Sequence, residues 1–274
     1  MRDLPYLNFS GELKRVKKVL IIAGFDPSGG AGIVLDTKVV RSLGEYAASL
    51  ITCLTVQTTE RVYGALPIDP DFFEYQFGKL VEDIKPDSVK IGLLGSEDIA
   101  RAVLKNIKRY NLKNIVCDPV LKSTSGFEFG KDEFVEFLKS EFFKVCSVIT
   151  PNKQEAEAIF DLKIENFEGD ILSSIQEKMN KMGIKLCVLK GGHLDSYLAE
   201  DVLITQKSIY KVASRRKGST DSIHGTGCAF SSAFATFLAK GYNMYGALKQ
   251  TKNFVSNLIH SSIKVGKGRL VLNP

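Results

Sequence analysis

A cysteine directly follows a glycine turn in the segment DSIHGTGCAFSSAFATFLAKG, residues 221–241. Gly225, Thr226 and Gly227 lead into a run of small and apolar residues, which predicts that Cys228 lies in the first turn of a helix. A helix N-terminus stabilises a thiolate, and cysteines in such settings have pKa values of ~3.5–7.5. Cys228 could then act as a nucleophile or as a proton acceptor. The alternative is that the position requires a small residue for packing.

A second glycine turn, FDPSGGAG at 25–32, follows the apolar segment KVLIIAG at 18–24 and precedes a predicted helix. Glycine lets the backbone approach an anion closely, and the free N–H groups of a helix N-terminus favour negative charge. Both turns are therefore candidate phosphate sites, although either could be only a tight connection. The segment GFEFGK at 126–131 is not a Walker P-loop, because its glycines are one residue too close. No G-x-G-x-x-G follows a strand, which disfavours a nicotinamide-dependent enzyme.

Two oxygen-bearing side chains, Asn152 and Glu155, stand three residues apart in TPNKQEAE at 150–157. At the start of a predicted helix this spacing puts both on one face. Their oxygens suit a hydrated Mg²⁺, which takes few protein ligands and keeps its waters. The same pair also fits ordinary helix capping, with Asn152 as the N-cap and Glu155 as its reciprocal partner.

The elements that must position these residues alternate between apolar strands and amphipathic helices. Strands are predicted at 18–24, 48–59, 88–95, 114–120, 146–152 and 185–192, with a hairpin at 201–205 and 208–213. Helices are predicted at 31–44, 69–84, 96–110, 153–160, 170–183, from Cys228 to Gly241, and at 244–263. This alternation predicts an α/β fold with a mostly parallel sheet covered on both faces.

Polar and glycine residues follow the predicted strands and should meet at one edge of the sheet. The carboxyl ends of parallel strands lie together there, and such edges bind ligands. The sequence positions concerned are Gly24 to Gly32, Gln57, Gly92, Asp118-Pro119, Thr150 to Asn152 and Lys190 to Gly192.

Composition and charge limit the class of protein. With 44% hydrophobic and 25% charged residues the chain has the composition of a soluble globular protein, and we expect one domain over 18–274 after a tail or peripheral strand at 1–17. The net charge is +6, and the basic clusters at 14–18 and 214–217 are short and lack interleaved aromatic residues. This pattern predicts a solvated surface rather than a nucleic-acid site, and it suits an anionic small substrate.

The five cysteines show no paired spacing, and four of them lie in apolar runs. An odd number of unpaired thiols indicates a reducing compartment, so we expect a cytoplasmic protein. No segment approaches the ~20 apolar residues of a membrane span, and no membrane partner is expected.

Seven segments in order carry a resemblance to a known family: IAGFDPSGGAGI, LTVQTT, VKIGLLG, CDPV, TPNKQEAE, LKGGH and HGTGCAFSSA. Together they resemble the hydroxymethylpyrimidine/phosphomethylpyrimidine kinases of thiamine biosynthesis, within the ribokinase-like superfamily. The resemblance implies a three-layer α/β/α domain that uses ATP and Mg²⁺. It also implies phosphorylation of the hydroxymethyl group of 4-amino-5-hydroxymethyl-2-methylpyrimidine or of its monophosphate, and a homodimer.

The resemblance assigns substrate-binding residues by position. Gln57 matches a glutamine that reads pyrimidine ring atoms, and Asp36 matches an acidic residue near the substrate hydroxymethyl group. Gly24 and Val120 match positions in the wall of the pocket. Phe25 and the run 58–60 depart from the family pattern, which puts the exact substrate in question.

The resemblance also assigns the phosphate side of the site. Lys190 matches a lysine near the ATP phosphates, while Asn152 and Glu155 match a pair that organises Mg²⁺ and phosphate. The turn 225–227 matches an anion hole. Cys228 matches a position that many related enzymes fill with an aspartate base, so it would orient the substrate hydroxyl group or take its proton.

Three other functions stay open at this point. A pyridoxal kinase of the same superfamily would bind a ring of similar shape. A thiol enzyme could use Cys228 as a covalent nucleophile, but His224 is expected to be a loop residue rather than its partner. A non-catalytic ligand-binding domain is disfavoured by the joint presence of four residues: Asn152, Glu155, Lys190 and Cys228.

Overall fold

The computed structural model describes residues 16–122, 126, 132–191, 198–215 and 223–274. Within these ranges nine strands form one sheet, and a separate two-stranded pair lies beside it. The sheet strands are β1 (Lys18–Phe25), β2 (Tyr46–Gln57), β3 (Val62–Pro67), β4 (Ser88–Ile91), β5 (Ile115–Cys117), β6 (Val148–Ile149), β7 (Leu186–Leu189), β8 (Leu198–Thr205) and β9 (Ile209–Arg215). The separate pair is β10 (Ile223–His224) and β11 (Leu270–Val271).

The strand order is β3-β2-β1-β4-β5-β6-β7-β8-β9. The six central strands, β2, β1, β4, β5, β6 and β7, are parallel to one another. At one margin β3 pairs antiparallel with β2, and at the other β8 pairs antiparallel with β7 and with β9. The predicted mostly parallel sheet and the predicted β8–β9 hairpin are both confirmed. The edge strand β3 was not predicted.

Eight α-helices fall within the described ranges: α1 (Gly32–Ser42), α2 (Pro70–Ile84), α3 (Glu97–Arg109), α4 (Asp132–Phe137), α5 (Lys153–Phe160), α6 (Gly169–Met182), α7 (Thr226–Ala239) and α8 (Met244–His260). All but α4 were predicted to within a few residues. Their ends follow local chemistry, since Asp69, Ser96 and Asn243 accept backbone hydrogen bonds at the starts of α2, α3 and α8. Past the end of α1, Gly44 has a φ of +86°, a conformation that favours glycine.

Two hydrophobic cores lie on opposite faces of the sheet. Helices α1, α7 and α8 pack on one face, and α2 to α6 pack on the other. The three-layer α/β/α architecture is therefore confirmed. Strand β1 is apolar throughout because both of its faces are covered, and Val19 to Ala23 are at most 1% exposed.

Helix α7 lies between α1 and α8, so it is buried all round rather than along one stripe. The predicted apolar stripe is present, and every residue from Ala229 to Ala239 is buried. The polar residues on α7 are buried because each makes a hydrogen bond: Ser231 and Ser232 reach carboxylates, and Thr236 bonds the Ser232 carbonyl.

Some sequence expectations fall outside the described residues. These are most of the tail at 1–17, the segment GFEFGK except Gly126, and parts of both basic clusters. Among the helices that are described, none is long and apolar enough to cross a membrane.

Candidate active site

The predicted polar edge forms where six parallel strands end. The turn after β1, Gln57 at the end of β2, Asp118 after β5, Asn152 after β6 and Lys190 after β7 all lie at the carboxyl ends of neighbouring strands. A single bridge between Asn152 and Lys190 extends the β6–β7 pairing to this edge. Because β2 and β4 flank β1 on opposite sides, the chain reverses its direction of winding here, which is the place where such sheets bind ligands.

The two glycine turns pack against each other, backbone to backbone. A Cβ on Gly225, whose φ is +87°, would lie 2.0 Å from the Gly30 carbonyl oxygen. A Cβ on Gly32, whose φ is +56°, would lie 2.3 Å from the Gly24 carbonyl oxygen. No other residue type fits at either position without moving backbone. The turns therefore bring the N-termini of α1 and α7 to the same place.

Lys190 is the centre of a charged cluster at this edge. Its Nζ lies 2.5 Å from Asp118 Oδ1 and 4.0 Å from Glu155 Oε2. Burial alone would lower the pKa of Lys190, but Asp118 and Glu155 raise it above its ordinary value. A Cβ on Gly227 would lie 3.3 Å from Lys190 Nζ, so the first turn of α7 faces the ammonium group directly. Lys190, Glu155 and the turn 225–227 thus lie close together, while their roles toward ATP and Mg²⁺ stay predictions.

Asn152 and Glu155 form the reciprocal cap that the spacing allowed. Asn152 Oδ1 accepts the Glu155 N–H at 2.9 Å, and Glu155 Oε2 accepts the Asn152 N–H at 2.8 Å. Burial raises the pKa of Glu155 to about 7, since its position is dry and Asp118 is close, although Lys190 opposes the rise. Capping accounts for these hydrogen bonds without excluding a metal role, because a carboxylate oxygen accepts more than one partner.

Cys228 has a raised pKa, not a lowered one. It lies in the first turn of α7 as predicted, and the Gly32 N–H hydrogen-bonds to its sulfur. Burial nevertheless raises its pKa to about 12, because loss of hydration and the charges of Asp36 and Asp118 outweigh the nearby Lys90. The expectation of a low-pKa thiolate is therefore wrong for the protein without ligands. At neutral pH Cys228 is a thiol.

The structure places Asp36 beneath the site and not at its surface. Asp36 is 0% exposed, and its two carboxylate oxygens are occupied by Lys90 at 2.5 Å and by Ser232 at 2.7 Å. Lys90, which comes from β4, is also 0% exposed. Burial alone would lower the pKa of Lys90, but Asp36 raises it. Gln57 and Asp36 are thus in different layers of the site.

Gln57 contacts a histidine that sequence reasoning assigned to a loop. Its amide Nε2 lies 2.8 Å from His224 Nε2, and the same imidazole nitrogen lies 3.2 Å from Asp26 Oδ2. His224 is in β10, where its backbone pairs with Val271 of β11. Its position immediately before Gly225 was the available signal, together with the Asp-Pro pair that begins the first glycine turn.

The remaining predicted residues lie around this edge. Gly24 is buried, and a Cβ there would meet Cys53 and Leu93, so a larger residue would have to displace them. Val120 is partly buried, and its N–H bonds the Asp118 carbonyl at 2.8 Å. Asp118 itself was noted only as strand-end punctuation, although it is the direct partner of Lys190.

The run 58–60, which departs from the family pattern, contacts the segment that leads into β11. Thr59 accepts hydrogen bonds from the N–H groups of Gly268 and Arg269, so it holds the segment that leads into β11. Phe25 ends β1 and packs against the core beneath α1 and α7.

The sequence of the chain is similar to a known protein family and to its members. A family model described as phosphomethylpyrimidine kinase matches residues 26–273. The chain is 39% identical over 255 residues to a hydroxymethylpyrimidine/phosphomethylpyrimidine kinase of Aquifex aeolicus, covering 93% of this chain and 98% of that protein.

Solved structures show the same relationship. A phosphomethylpyrimidine kinase of Clostridium difficile is similar with a TM-score of 0.77 and 35% identity, over 89% of this chain and 99% of that one. A pyridoxal kinase of Bacillus subtilis, solved as an ADP complex, is similar with a TM-score of 0.85 and 29% identity, over 94% and 97%.

Proposed function

Because the chain belongs to the phosphomethylpyrimidine kinase family and is a small-molecule kinase, we propose that it transfers phosphate from ATP to 4-amino-5-hydroxymethyl-2-methylpyrimidine and to its monophosphate. These steps would supply the pyrimidine diphosphate for thiamine biosynthesis. The observation that carries the proposal is the Lys190 cluster, in which an ammonium group faces Gly227 at the start of α7. Phosphoryl transfer needs charge stabilisation and positioning more than covalent chemistry, and this arrangement supplies both.

The nucleotide phosphates would lie between Lys190 and the first turn of α7. Gly225 to Gly227 present backbone N–H groups at a helix N-terminus, and the absence of a side chain at Gly227 lets a phosphoryl group approach them. On nucleotide binding, Lys190 would share its ammonium group between Asp118 and the phosphates. Because Lys190 would keep its contact with Asp118 while it gains the phosphates, no buried charge would be left unpaired.

Magnesium would be held by Glu155 and Asn152, with water completing its shell. The donor set fits, because both residues offer oxygen ligands and Mg²⁺ takes only one or two from the protein. Glu155 must be ionised to bind it, and with a pKa of about 7 that condition is met in a substantial fraction of molecules at neutral pH. When bound, the ion neutralises charge on the phosphates.

Cys228 would position the substrate hydroxyl group rather than attack a phosphate. Its thiol is protonated at neutral pH, which argues against a resident thiolate nucleophile or a strong base. Cys228→Ser should keep measurable activity, since a hydroxyl group can also orient the substrate oxygen. Intact-mass measurement during turnover provides the check, and a stable phosphocysteine would contradict this role.

The pyrimidine would lie on the opposite side of the glycine turns, against Gln57. Gly24 and Val120 would form the wall, and Asp36 would act from below by holding Lys90 and Ser232 in place. Because Asp36 has both oxygens occupied, a direct contact with the hydroxymethyl group would first require one of these partners to leave.

Pyridoxal is the competing substrate. The Bacillus subtilis pyridoxal kinase has the higher TM-score of the two structural neighbours above, 0.85 against 0.77, although its sequence identity is lower. The family-model match and the 39% identity to the Aquifex aeolicus hydroxymethylpyrimidine/phosphomethylpyrimidine kinase favour the pyrimidine.

The deciding experiment incubates purified protein with ATP and Mg²⁺ and one of three substrates: the hydroxymethylpyrimidine, its monophosphate or pyridoxal. Product masses and ADP release are measured, and omission of Mg²⁺ should abolish both. Turnover of pyridoxal alone would overturn the pyrimidine assignment.

A homodimer in the cytoplasm completes the proposal. Exposed apolar residues are concentrated on β2, β3 and the start of α2, and the cross-strand pair Leu54 and Leu66 is 43% and 66% exposed. An apolar ribbon of this kind is a protein-contact surface, and a second copy would cover it. Leu66→Lys should convert a dimer to a monomer in analytical ultracentrifugation, whereas a monomeric wild type would contradict the dimer. The free state of all five cysteines is consistent with a reducing compartment.

A further inference from the structure

Two side chains from distant parts of the chain, Asp26 and Gln57, meet on one imidazole nitrogen of His224. His224 Nε2 lies 3.2 Å from Asp26 Oδ2 and 2.8 Å from the Gln57 amide nitrogen. The second end of the Gln57 amide, Oε1, lies 3.3 Å from Thr55 Oγ1. Asp26 is 3% exposed, so its hydrogen-bonding needs must be met by these neighbours.

The hydrogen inventory at the Asp26 end requires a proton on His224 Nε2. Asp26 Oδ1 already accepts the N–H and the hydroxyl group of Ser28, at 2.8 and 2.7 Å. Burial would raise the pKa of Asp26, but the hydrogen bonds from His224 and Ser28 hold it below its ordinary value, so the group is a carboxylate and can only accept. Its Oδ2 therefore needs a donor, and His224 Nε2–H is that donor.

The hydrogen inventory at the Thr55 end leads to the same orientation independently. Thr55 Oγ1 donates its single hydrogen to the Phe25 carbonyl at 2.9 Å. Toward Gln57 it can then only accept, so the amide atom facing it should be the nitrogen. The amide atom facing His224 should be the oxygen, so that the single Nε2 hydrogen is shared between Gln57 Oε1 and Asp26 Oδ2. The oxygen and nitrogen of a side-chain amide are assigned from the hydrogen bonds around them. The contacts with Asp26–His224 and with Thr55 both require Gln57 Oε1 to face His224 and Gln57 Nε2 to face Thr55, which exchanges the two atoms in the distances given above.

We infer that His224, held by Asp26, is a specificity-determining residue that fixes the direction of the Gln57 amide. With Oε1 toward His224 and Nε2 toward Thr55, each amide atom keeps one free hydrogen-bonding position. The pocket then receives an acceptor and a donor in a set order. A 4-aminopyrimidine matches that order, because its amino group donates and the adjacent ring nitrogen accepts. The 4-oxo analogue presents the reverse order and would leave two polar groups facing like partners.

This inference deepens the proposed function and rests on it for the choice of substrate. It assigns His224 a role through Gln57, so His224 is a positioning residue. Its effect should appear in discrimination between heterocycles, and not in ATP use.

The most specific variant is Asp26→Asn, which replaces a single carboxylate oxygen of Asp26 by nitrogen and so changes one atom in the contacts that join Asp26, His224 and Gln57. The side-chain oxygen of the new amide can still accept both hydrogen bonds from Ser28, while its nitrogen donates toward His224 Nε2. The imidazole should then carry its proton on Nδ1, and Gln57 should turn its nitrogen to His224. We expect the KM for the aminopyrimidine to rise about 10- to 100-fold with the KM for ATP unchanged. The kcat/KM ratio of the 4-amino to the 4-oxo substrate should fall by at least as much.

Two His224 variants separate positioning from folding. In His224→Gln the side-chain nitrogen can donate to both Asp26 and Gln57, so it should keep the 4-amino preference. His224→Leu removes the donor and should lose that preference. Long-range ¹H–¹⁵N spectra of the three histidines provide a readout without turnover. In these spectra His224 should be protonated at Nε2 in the wild type and at Nδ1 in Asp26→Asn.

The outcomes distinguish this inference from the proposed function. A wild type that phosphorylates pyridoxal alone overturns the substrate, and the variants are then compared on pyridoxal. An unchanged KM in Asp26→Asn for the heterocycle that the wild type uses overturns the role of Asp26 and His224 in fixing the Gln57 amide. Equal losses with 4-amino and 4-oxo substrates also overturn it, because they indicate a purely structural role.

Discussion

Two lysine–aspartate pairs with the same nitrogen–oxygen distance have different roles, because one is at the open edge of the sheet and the other is enclosed in the core. In Lys190–Asp118 and in Lys90–Asp36 the nitrogen–oxygen distance is 2.5 Å. The lysine side chain of the first pair is 12% exposed and stands at the open edge of the sheet, whereas both members of the second pair are 0% exposed. The first ammonium group can therefore take up a further anionic partner, and the second cannot.

The difference shows that an ion pair near a site is not always part of the binding surface. Lys190 has a second carboxylate, Glu155, within 4.0 Å, and Gly227 at the start of α7 leaves space beside it. Its ammonium group can therefore contact more than one anion. Lys90 is enclosed by Asp36, and Ser232 occupies the other carboxylate oxygen. Its charge is a constant component of the field below Cys228.

The largest effect is expected from breaking the fully buried pair Lys90–Asp36, called the sealed pair below, in contrast to the open pair Lys190–Asp118. Lys90→Met leaves Asp36 without its counter-charge in a dry core and should lower the free energy of unfolding by about 3–5 kcal/mol. Urea denaturation measures this loss. Adding Asp36→Asn to Lys90→Met should restore part of the stability, because the uncompensated charge is then gone. A single variant as stable as the wild type would show that the pair is not held as a charged pair.

The open pair should respond in activity more than in stability. Lys190→Met should lower kcat/KM about 10²–10³-fold, as expected for loss of one charge-stabilising group. Its loss of unfolding free energy should be smaller than that of Lys90→Met. Lys105→Met is the matched control, because its pair with Glu74 is exposed and should matter little to either quantity. Equal stability losses at Lys190 and Lys90 would remove the distinction between the two pairs.

A methyl group beside the open pair should have a moderate effect. In Gly227→Ala the new Cβ would meet Lys190 Nζ at 3.3 Å and push the ammonium group by a few tenths of an ångström. We expect kcat to fall about tenfold, since misplacement by 1 Å can cost ~10²-fold. Unfolding free energy should not fall, because the end of a lysine side chain can move.

Gly225→Ala is the contrasting variant for that experiment. Its Cβ would lie 2.0 Å from the Gly30 carbonyl oxygen, where only backbone could yield, and its φ is positive. This variant should lose stability as well as activity. Similar stability of the two glycine variants would contradict the packing of the glycine turns.

The smallest expected effect is a pH dependence of the unfolding free energy, which arises from Cys228 near Lys90 and Asp36. The folded pKa of Cys228, about 12, lies above the value of 9.0 for a free thiol. This thiol therefore contributes stability below pH 9, and the contribution is lost as pH rises, because unfolding releases its proton. Between pH 8 and pH 10 the loss should be about 1 kcal/mol. Comparing the wild type with Cys228→Ser at both pH values isolates it from the other thiols, and parallel curves would contradict the raised pKa.

Much of the fold was predictable because its signals are local. Apolar runs ending in Gly, Pro or Asn marked the strand ends, and a single strand direction was enough to bring Gln57, Asn152 and Lys190 to one edge. The Asn152–Glu155 cap was predictable for the same reason, since both partners lie in one helical turn.

The parts that sequence reasoning missed depend on distant partners. Lys90 and Asp36 each look out of place in a buried element, but nothing local says that they lie opposite each other. The two-residue strands β10 and β11 are too short for any periodic signal, so His224 was assigned to a loop. The pKa direction of Cys228 depended on a balance between helix N-terminus and burial, and burial is set by α1 and the carboxylates around it.

The pairing of β10 with β11 also sets an order of events during synthesis. Val271 follows His224 by roughly 50 residues, which a ribosome adds in ~2–10 s at ~5–20 residues per second. Val271 packs closely against Gly30 as well as lying opposite His224, so the first glycine turn gains this neighbour equally late. A nascent chain can thus assemble its central sheet while the imidazole still lacks the strand that holds its backbone. The backbone support of His224 is therefore completed only after β11 has been synthesised.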